Sequence, residues 1–136
     1  MPKNYTYDDA GVNRKQRVES KKALKTLHET YKHSCYGAVR HLPYGNIFPV
    51  GENTFSDLVI EGVGTKVLIA QLAQKYDTIG VDAVAMAVND VIRSGAKPLA
   101  IADNIHAQVS DPTLVNAWLK GIIHGANESE CPVTGG

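Results

Sequence analysis

The sequence predicts an α+β fold: a mostly antiparallel or mixed four-stranded sheet with helices on one face. Three observations carry that expectation. Helical and strand-like segments alternate along the chain without internal repeats or low-complexity stretches. At least three short apolar segments read as strands, with too few helices to cover both faces of a sheet, so one sheet face is left for a second copy of the chain. The length of 136 residues, 43% of them hydrophobic, suits one core and one domain, residues 1–136, and does not leave room for two.

The elements follow in order. Asn13 with Gln16 three residues on has the form of a capping box, and Val18, Leu24, Leu27 and Tyr31 recur near helical spacing, which predicts a helix from Arg14 to Lys32. Ser34 to Ser56 holds Gly37, Pro43, Gly45, Pro49, Gly51 and Asn53, so it reads as mostly loop with a short strand near Val39. Asp57 to Gly62 reads as a buried strand, and Thr65 to Tyr76 as a strand or a strand leading into a helix. Thr78 is placed to cap a helix through Val81, Val84, Val88, Val91 and Ile92 that ends at Ser94-Gly95. Pro98 to Ala107 is apolar on both faces around Leu99-Ala100-Ile101-Ala102 and predicts a central strand. Asp111-Pro112 is an N-cap and N1 pair opening a helix with Leu114, Val115, Trp118, Leu119, Ile122 and Ile123 on one side. Pro132-Val133-Thr134 starts a last strand that runs into Gly135-Gly136. A strand leading into two glycines reads as one that continues into a ligand loop or a further element, so the expectation is one domain of a longer enzyme.

Charge and cysteine usage narrow the function classes. Fourteen basic and fourteen acidic residues cancel, and the basic cluster of Arg14, Lys15, Arg17, Lys21 and Lys22 shares its helix with Glu19, which reads as a solvated face and not a nucleic-acid footprint. Cys35 and Cys131 form no CxxC pair, so reduced thiols in a cytoplasmic protein are the default, with one disulfide between them as the alternative. Neither an export signal nor a run of about 18 apolar residues is present, so no membrane partner is expected.

Two segments carry chemistry. Glu61-Gly62-Val63-Gly64-Thr65-Lys66 is a glycine turn after the apolar Leu58 to Ile60, where missing side chains let backbone N–H groups approach an anion. Its Thr-Lys order and Val59 at the place of the first glycine exclude a Walker P-loop. Asp82, Asn89 and Asp90 interrupt an otherwise apolar helix, where buried carboxylates need a partner, and magnesium carried by a nucleotide is one. Asp82 and Asn89, seven residues apart, fall within about 20° on one helical face, with Asp90 about 100° round from Asn89. The structural alternative has Asp82 complementing the helix dipole and Asp90 solvating an edge. His28 and His33 are five apart and diverge by about 140°, which argues against a zinc helix. His106 reads as a surface histidine, with a substrate contact as the alternative, and no Ser-His-Asp or Cys-His set assembles from spacing.

Taken in order, these motifs resemble the N-terminal domain of the aminoimidazole ribonucleotide synthetase (phosphoribosylformylglycinamidine cyclo-ligase) family. The matching segments are Tyr7 to Val12, Glu61 to Lys66, Tyr76 to Asp82, Val84 to Asp90, Gly95 to Leu99 and Gly135-Gly136. Thiamine monophosphate kinase, selenophosphate synthetase and the hydrogenase-maturation dehydratase share the Asn-Asp and Gly-Ala-x-Pro pair, but they generally lack the Ala-Gly-Val opening and the Thr-Ile-Gly-x-Asp-x-Val-Ala-Met run. The resemblance implies ATP-dependent cyclisation of formylglycinamidine ribonucleotide in purine synthesis, with ATP and Mg2+ required and a homodimer pairing through its sheets. It implies that Glu61 and Asp90 hold magnesium, that Lys66 and Thr65 contact phosphate beside Gly62 and Gly64, and that Asp82 and Asn89 order the site, with Lys66 and Asp90 the catalytic pair. It also implies a missing C-terminal domain and an inactive isolated segment. The chain departs from the family pattern at Glu61 for Asp, Asp8 for Lys, and Tyr36-Gly37-Ala38 for a Gly-Gly-Phe-Gly loop. A reading from another class is a non-catalytic dimerisation module whose acidic residues serve solubility.

Overall fold

The computed structural model describes residues 13–136, so the Tyr7 to Val12 motif and the departure at Asp8 lie outside the described residues. The chain is α+β as expected, but its strands form two small sheets in place of a four-stranded one. Asn13 caps α1 (Arg14–Ala23), its side-chain oxygen accepting the Gln16 N–H at 3.0 Å. The helical turn then tightens into a 3₁₀ segment, Leu24–His33, so the single predicted helix is split in two.

The segment expected to be mostly loop is instead an antiparallel meander of β1 (Arg40–Leu42), β2 (Gly45–Pro49) and β3 (Phe55–Asp57). Leu42 pairs with Gly45, so Pro43-Tyr44 is a two-residue hairpin loop, and the Pro and Gly residues that read as loop are its turn chemistry. The Arg40 guanidinium lies 4.1 Å over the Phe55 ring, tying β1 to β3 across β2.

The predicted buried strand Asp57 to Gly62 does not form beyond Asp57. Leu58 and Ile60 are 78% and 91% exposed, because no strand among the described residues pairs with them. Thr65 to Tyr76 is helical, with α2 at Lys66–Ala73, and contains no strand. α3 (Asp77–Ile92) begins one residue before Thr78, which therefore does not cap it; the N-cap residue is Tyr76, with no side-chain hydrogen bond. Leu99 is exposed and only β4 (Ile101–Ala102) is strand, pairing in parallel with β5 (Val133–Gly135), so this segment is not central to a larger sheet. α4 (Pro112–Glu128) opens as expected, Asp111 accepting the Thr113 N–H at 2.8 Å. It closes in a Schellman motif, Cys131 N–H on the Ala126 carbonyl and Glu130 N–H on that of Asn127.

The core lies where α3 crosses α4. A Cβ at Gly80 would overlap the Trp118 carbonyl and the Ile122 amide, and one at Gly121 would overlap the Asp77 carbonyl, so the two backbones meet with nothing between them. Val84, Ile122 and Ala126 are buried around this crossing, and Gly125 faces Val84, where an added Cβ would come within 2.9 Å of the Val84 Cβ. Full burial of a Val or Ile contributes about 1.5–3 kcal/mol, so this crossing holds much of the fold's apolar stabilisation. Leu119 and Ile123, expected on the inner side of α4, are exposed, because the crossing rotates the glycine face inward instead.

Little else is covered. The chain exposes 10914 Å², whereas a compact monomer of this mass exposes about 6,900 Å². Among the described residues, no helix is long and apolar enough to cross a membrane. Cys35 is exposed and Cys131 buried, both as free thiols.

Gly121→Ala gains about 1 kcal/mol of helix propensity but forces α3 and α4 apart; the net expectation is a loss of about 2 kcal/mol. Gly45→Ala, which meets nothing within 4 Å, should stay within about 0.5 kcal/mol. Urea unfolding midpoints for the two variants check this, and equal midpoints would contradict the crossing.

Candidate active site

The first half of the site forms where α2 meets α3. Gly64 takes φ +60°, a left-handed conformation that favours glycine, and this turn feeds Thr65 and Lys66 into α2. Thr65 occupies the N-cap position without a side-chain bond to the helix, so its hydroxyl is not committed there. The Lys66 ammonium meets the Asp82 carboxylate at 3.0 Å, both side chains about half exposed. A pair this open contributes at most about 1 kcal/mol, so an incoming anion can take the lysine with little penalty. Gly62 has nothing within 4 Å of where a Cβ would sit, leaving its backbone open to close approach.

The second half is a cavity of about 560 Å³ between the C-terminal end of α3, the β1–β2 hairpin and the segment after β3. Glu61 and Asp90, which the family resemblance implies as a metal pair, both line it. Three further charged or aromatic residues there were not anticipated: Asp57 at the end of β3, Arg93 at the C-cap of α3, and Tyr44 in the hairpin loop. The Arg93 Nη2 lies 3.1 Å from an Asp90 carboxylate oxygen and 3.3 Å from the Tyr44 carbonyl, to which it donates. Arg93 follows Asp90 by three residues, a spacing that makes helical neighbours and was a usable signal. Tyr44 is 49 residues from Arg93, and nothing local announces that contact.

Asp82 and Asp90 are eight residues apart on one helix, about 12 Å along its axis, so the lysine pair and the cavity are neighbouring stations and not one cluster. Asn89 is exposed beside Asp90, and Asp82 is half-buried. His106 lies outside the cavity, its ring nitrogen 3.1 Å from the Asn104 amide, while His28 stacks against Tyr31 and meets His41 at a tilt.

Three carboxylates against one guanidinium leave the cavity with a formal excess of two negative charges. Among the described residues, no three His, Cys, Asp or Glu side chains converge closely enough to hold a metal unaided. Two carboxylates on one cavity suit a hard cation such as Mg2+, which takes one or two protein carboxylates and completes its shell with water and phosphate oxygens.

The family described as AIR synthase related protein, N-terminal domain, matches residues 47–136. The chain is 37% identical over 135 residues to a phosphoribosylformylglycinamidine cyclo-ligase of Bacillus pumilus (strain SAFR-032), covering 96% of this chain and 38% of that protein. It is 35% identical over 136 residues to the protein of the same name from Acetivibrio thermocellus, covering 96% and 39%. The chain thus spans about two fifths of the length of the curated relatives it matches. With a family match over residues 47–136, running from the hairpin through the glycine turn and α3 to the last strand, the chain belongs to the AIR synthase related proteins and carries their N-terminal domain.

Proposed function

We propose that this chain is the N-terminal domain of a two-domain cytoplasmic enzyme that closes formylglycinamidine ribonucleotide to aminoimidazole ribonucleotide at the expense of ATP. The observation that carries the reading is the similarity, over 96% of this chain and 38–39% of the relatives, to proteins named as this cyclo-ligase, in a chain whose Glu61 and Asp90 share a cavity.

The formyl oxygen of the substrate takes the γ-phosphoryl group as ADP leaves; an internal nitrogen then attacks the same carbon and phosphate departs. Chemistry of this kind depends on positioning and on neutralising phosphate charge. Glu61 and Asp90 hold the magnesium that arrives with ATP, and the ion when bound offsets charge on the phosphate oxygens. Lys66 exchanges Asp82 for a phosphate oxygen, and Thr65 donates its hydroxyl to another. Gly62 and Gly64 keep backbone N–H groups within reach of the same anion. Asp82 receives the lysine back when the anion leaves, and Asn89 orders the solvent side of Asp90. Glu61 keeps the charge of the aspartate usual in the family on a side chain one methylene longer.

The uncovered apolar surface supports a homodimer. Leu58, Ile60 and Leu99 stand exposed on segments that read as buried strand, and the chain exposes about 2,000 Å² or more beyond what a compact fold of its size leaves open. An interface of about 2,000 Å² or more, in the obligate range, would cover them. The C-terminal domain completes the nucleotide pocket, and the 136 residues alone do not close the ring.

In the full-length protein, Asp90→Asn is expected to leave the melting temperature nearly unchanged, because the amide is isosteric. It should lower substrate-dependent ADP release by about 100-fold or more, about 2.7 kcal/mol of transition-state stabilisation. A lowered melting temperature with an unchanged turnover number would remove Asp90 from the chemistry. Light scattering at micromolar concentration is expected to give the mass of a dimer, and a monomer would contradict the pairing.

A further inference from the structure

Arg93 is the one cationic side chain lining the cavity among the described residues, and it is spent on a carboxylate that the functional reading assigns to magnesium. Its anchoring is of two kinds. One contact, to Asp90 at 3.1 Å, would be lost to a cation. The others, to the Tyr44 carbonyl at 3.3 Å and over the Tyr44 ring at 5.4 Å from its centroid, do not involve Asp90 and would hold the guanidinium on the cavity wall. Among the described residues both polar contacts run through Nη2, so donors on Nε and Nη1 remain for another acceptor.

The charge balance says what that acceptor is. A polyphosphate entering beside Asp57, Glu61 and Asp90 meets net negative charge, and a divalent cation alone offsets only part of the combined anions. We propose that Arg93 is a phosphate-binding residue acting as an exchangeable counter-ion: it holds Asp90 when the cavity is empty and passes to a phosphate oxygen when the magnesium nucleotide arrives. The inference rests on the reading of this cavity as the nucleotide site. It has a distinct consequence, because the same side chain opposes one ligand and favours the other. Free Mg2+ competes with Arg93 for Asp90, whereas the magnesium nucleotide recruits Arg93.

Calorimetric titration of the full-length protein with magnesium chloride alone, and with magnesium plus adenylyl imidodiphosphate, tests this. Arg93→Met should bind free Mg2+ about three- to fivefold more tightly, the scale of one half-exposed ion pair. It should bind the magnesium nucleotide at least about tenfold more weakly, the scale of a charge-assisted hydrogen bond. Arg93→Lys keeps the charge without the planar fork, so Mg2+ affinity should stay near wild type with nucleotide affinity only partly recovered. Parallel weakening of both ligands in Arg93→Met, as a structural role would give, overturns the proposal, and so does no change in either. If the wild-type protein binds no magnesium nucleotide, the functional reading of the cavity itself fails and the role of Arg93 with it.

Discussion

Gly80 of α3 and Gly121 of α4 meet with no side chain between them, and the rest of the described structure is arranged around that approach. The crossing buries Val84, Ile122 and Ala126 and fixes which face of each helix points inward. The placement of α3 matters because it carries Asp82, Asn89 and Asp90, with Arg93 at its C-cap. A helix held at its N-terminal half by backbone contact presents its C-terminal half to the hairpin and the glycine turn at a fixed height. The cavity lies where that end of α3, bearing the Asp90–Arg93 pair, stands near the β1–β2 hairpin and the segment after β3, with Asp57 and Glu61 also on its lining.

On the proposed function, the two stations along α3 would divide the work of handling a charged ligand. Lys66 and Asp82 form an open pair whose loss costs little, suited to releasing a cation toward an anion. Asp90 and Arg93 form a more enclosed pair on a cavity with excess negative charge, suited to exchanging one cation for another. About 12 Å separates them along the helix, so an extended ligand with several charges engages both more naturally than a compact one does.

Where local chemistry decides the structure, the sequence announced it. The Asn13 and Asp111 caps and the α3 and α4 helices rest on contacts within a few residues, and they are present; the final strand is present too, though its pairing is distant, Val133 with Ile101. The meander of Arg40 to Asp57 was hidden because its turn residues are also loop residues, and only cross-strand pairing tells the two apart. Leu58 to Ile60 and Leu99 read as buried strands because their composition is that of a covered sheet, while the described residues supply no cover. The site divides in the same way. Asp90 stood out as a carboxylate in an apolar helix and Glu61 through the family resemblance, and the two do share a cavity, whereas Asp57 and Tyr44 reach it through the fold of the meander and carried no sequence signal. The Lys66–Asp82 pair joins two residues that were both singled out, in a partnership that spacing did not foretell.

The central claim is that the end of α3 is the seat of a magnesium nucleotide. A crystal structure of the full-length protein grown with manganese and adenylyl imidodiphosphate, phased to show the anomalous signal of the metal, tests it most directly. The account predicts a manganese peak at about 2.1–2.2 Å from carboxylate oxygens of Asp90 and Glu61, with phosphate oxygens completing the shell. A nucleotide and metal seated elsewhere, with Asp90 still paired to Arg93, would contradict it.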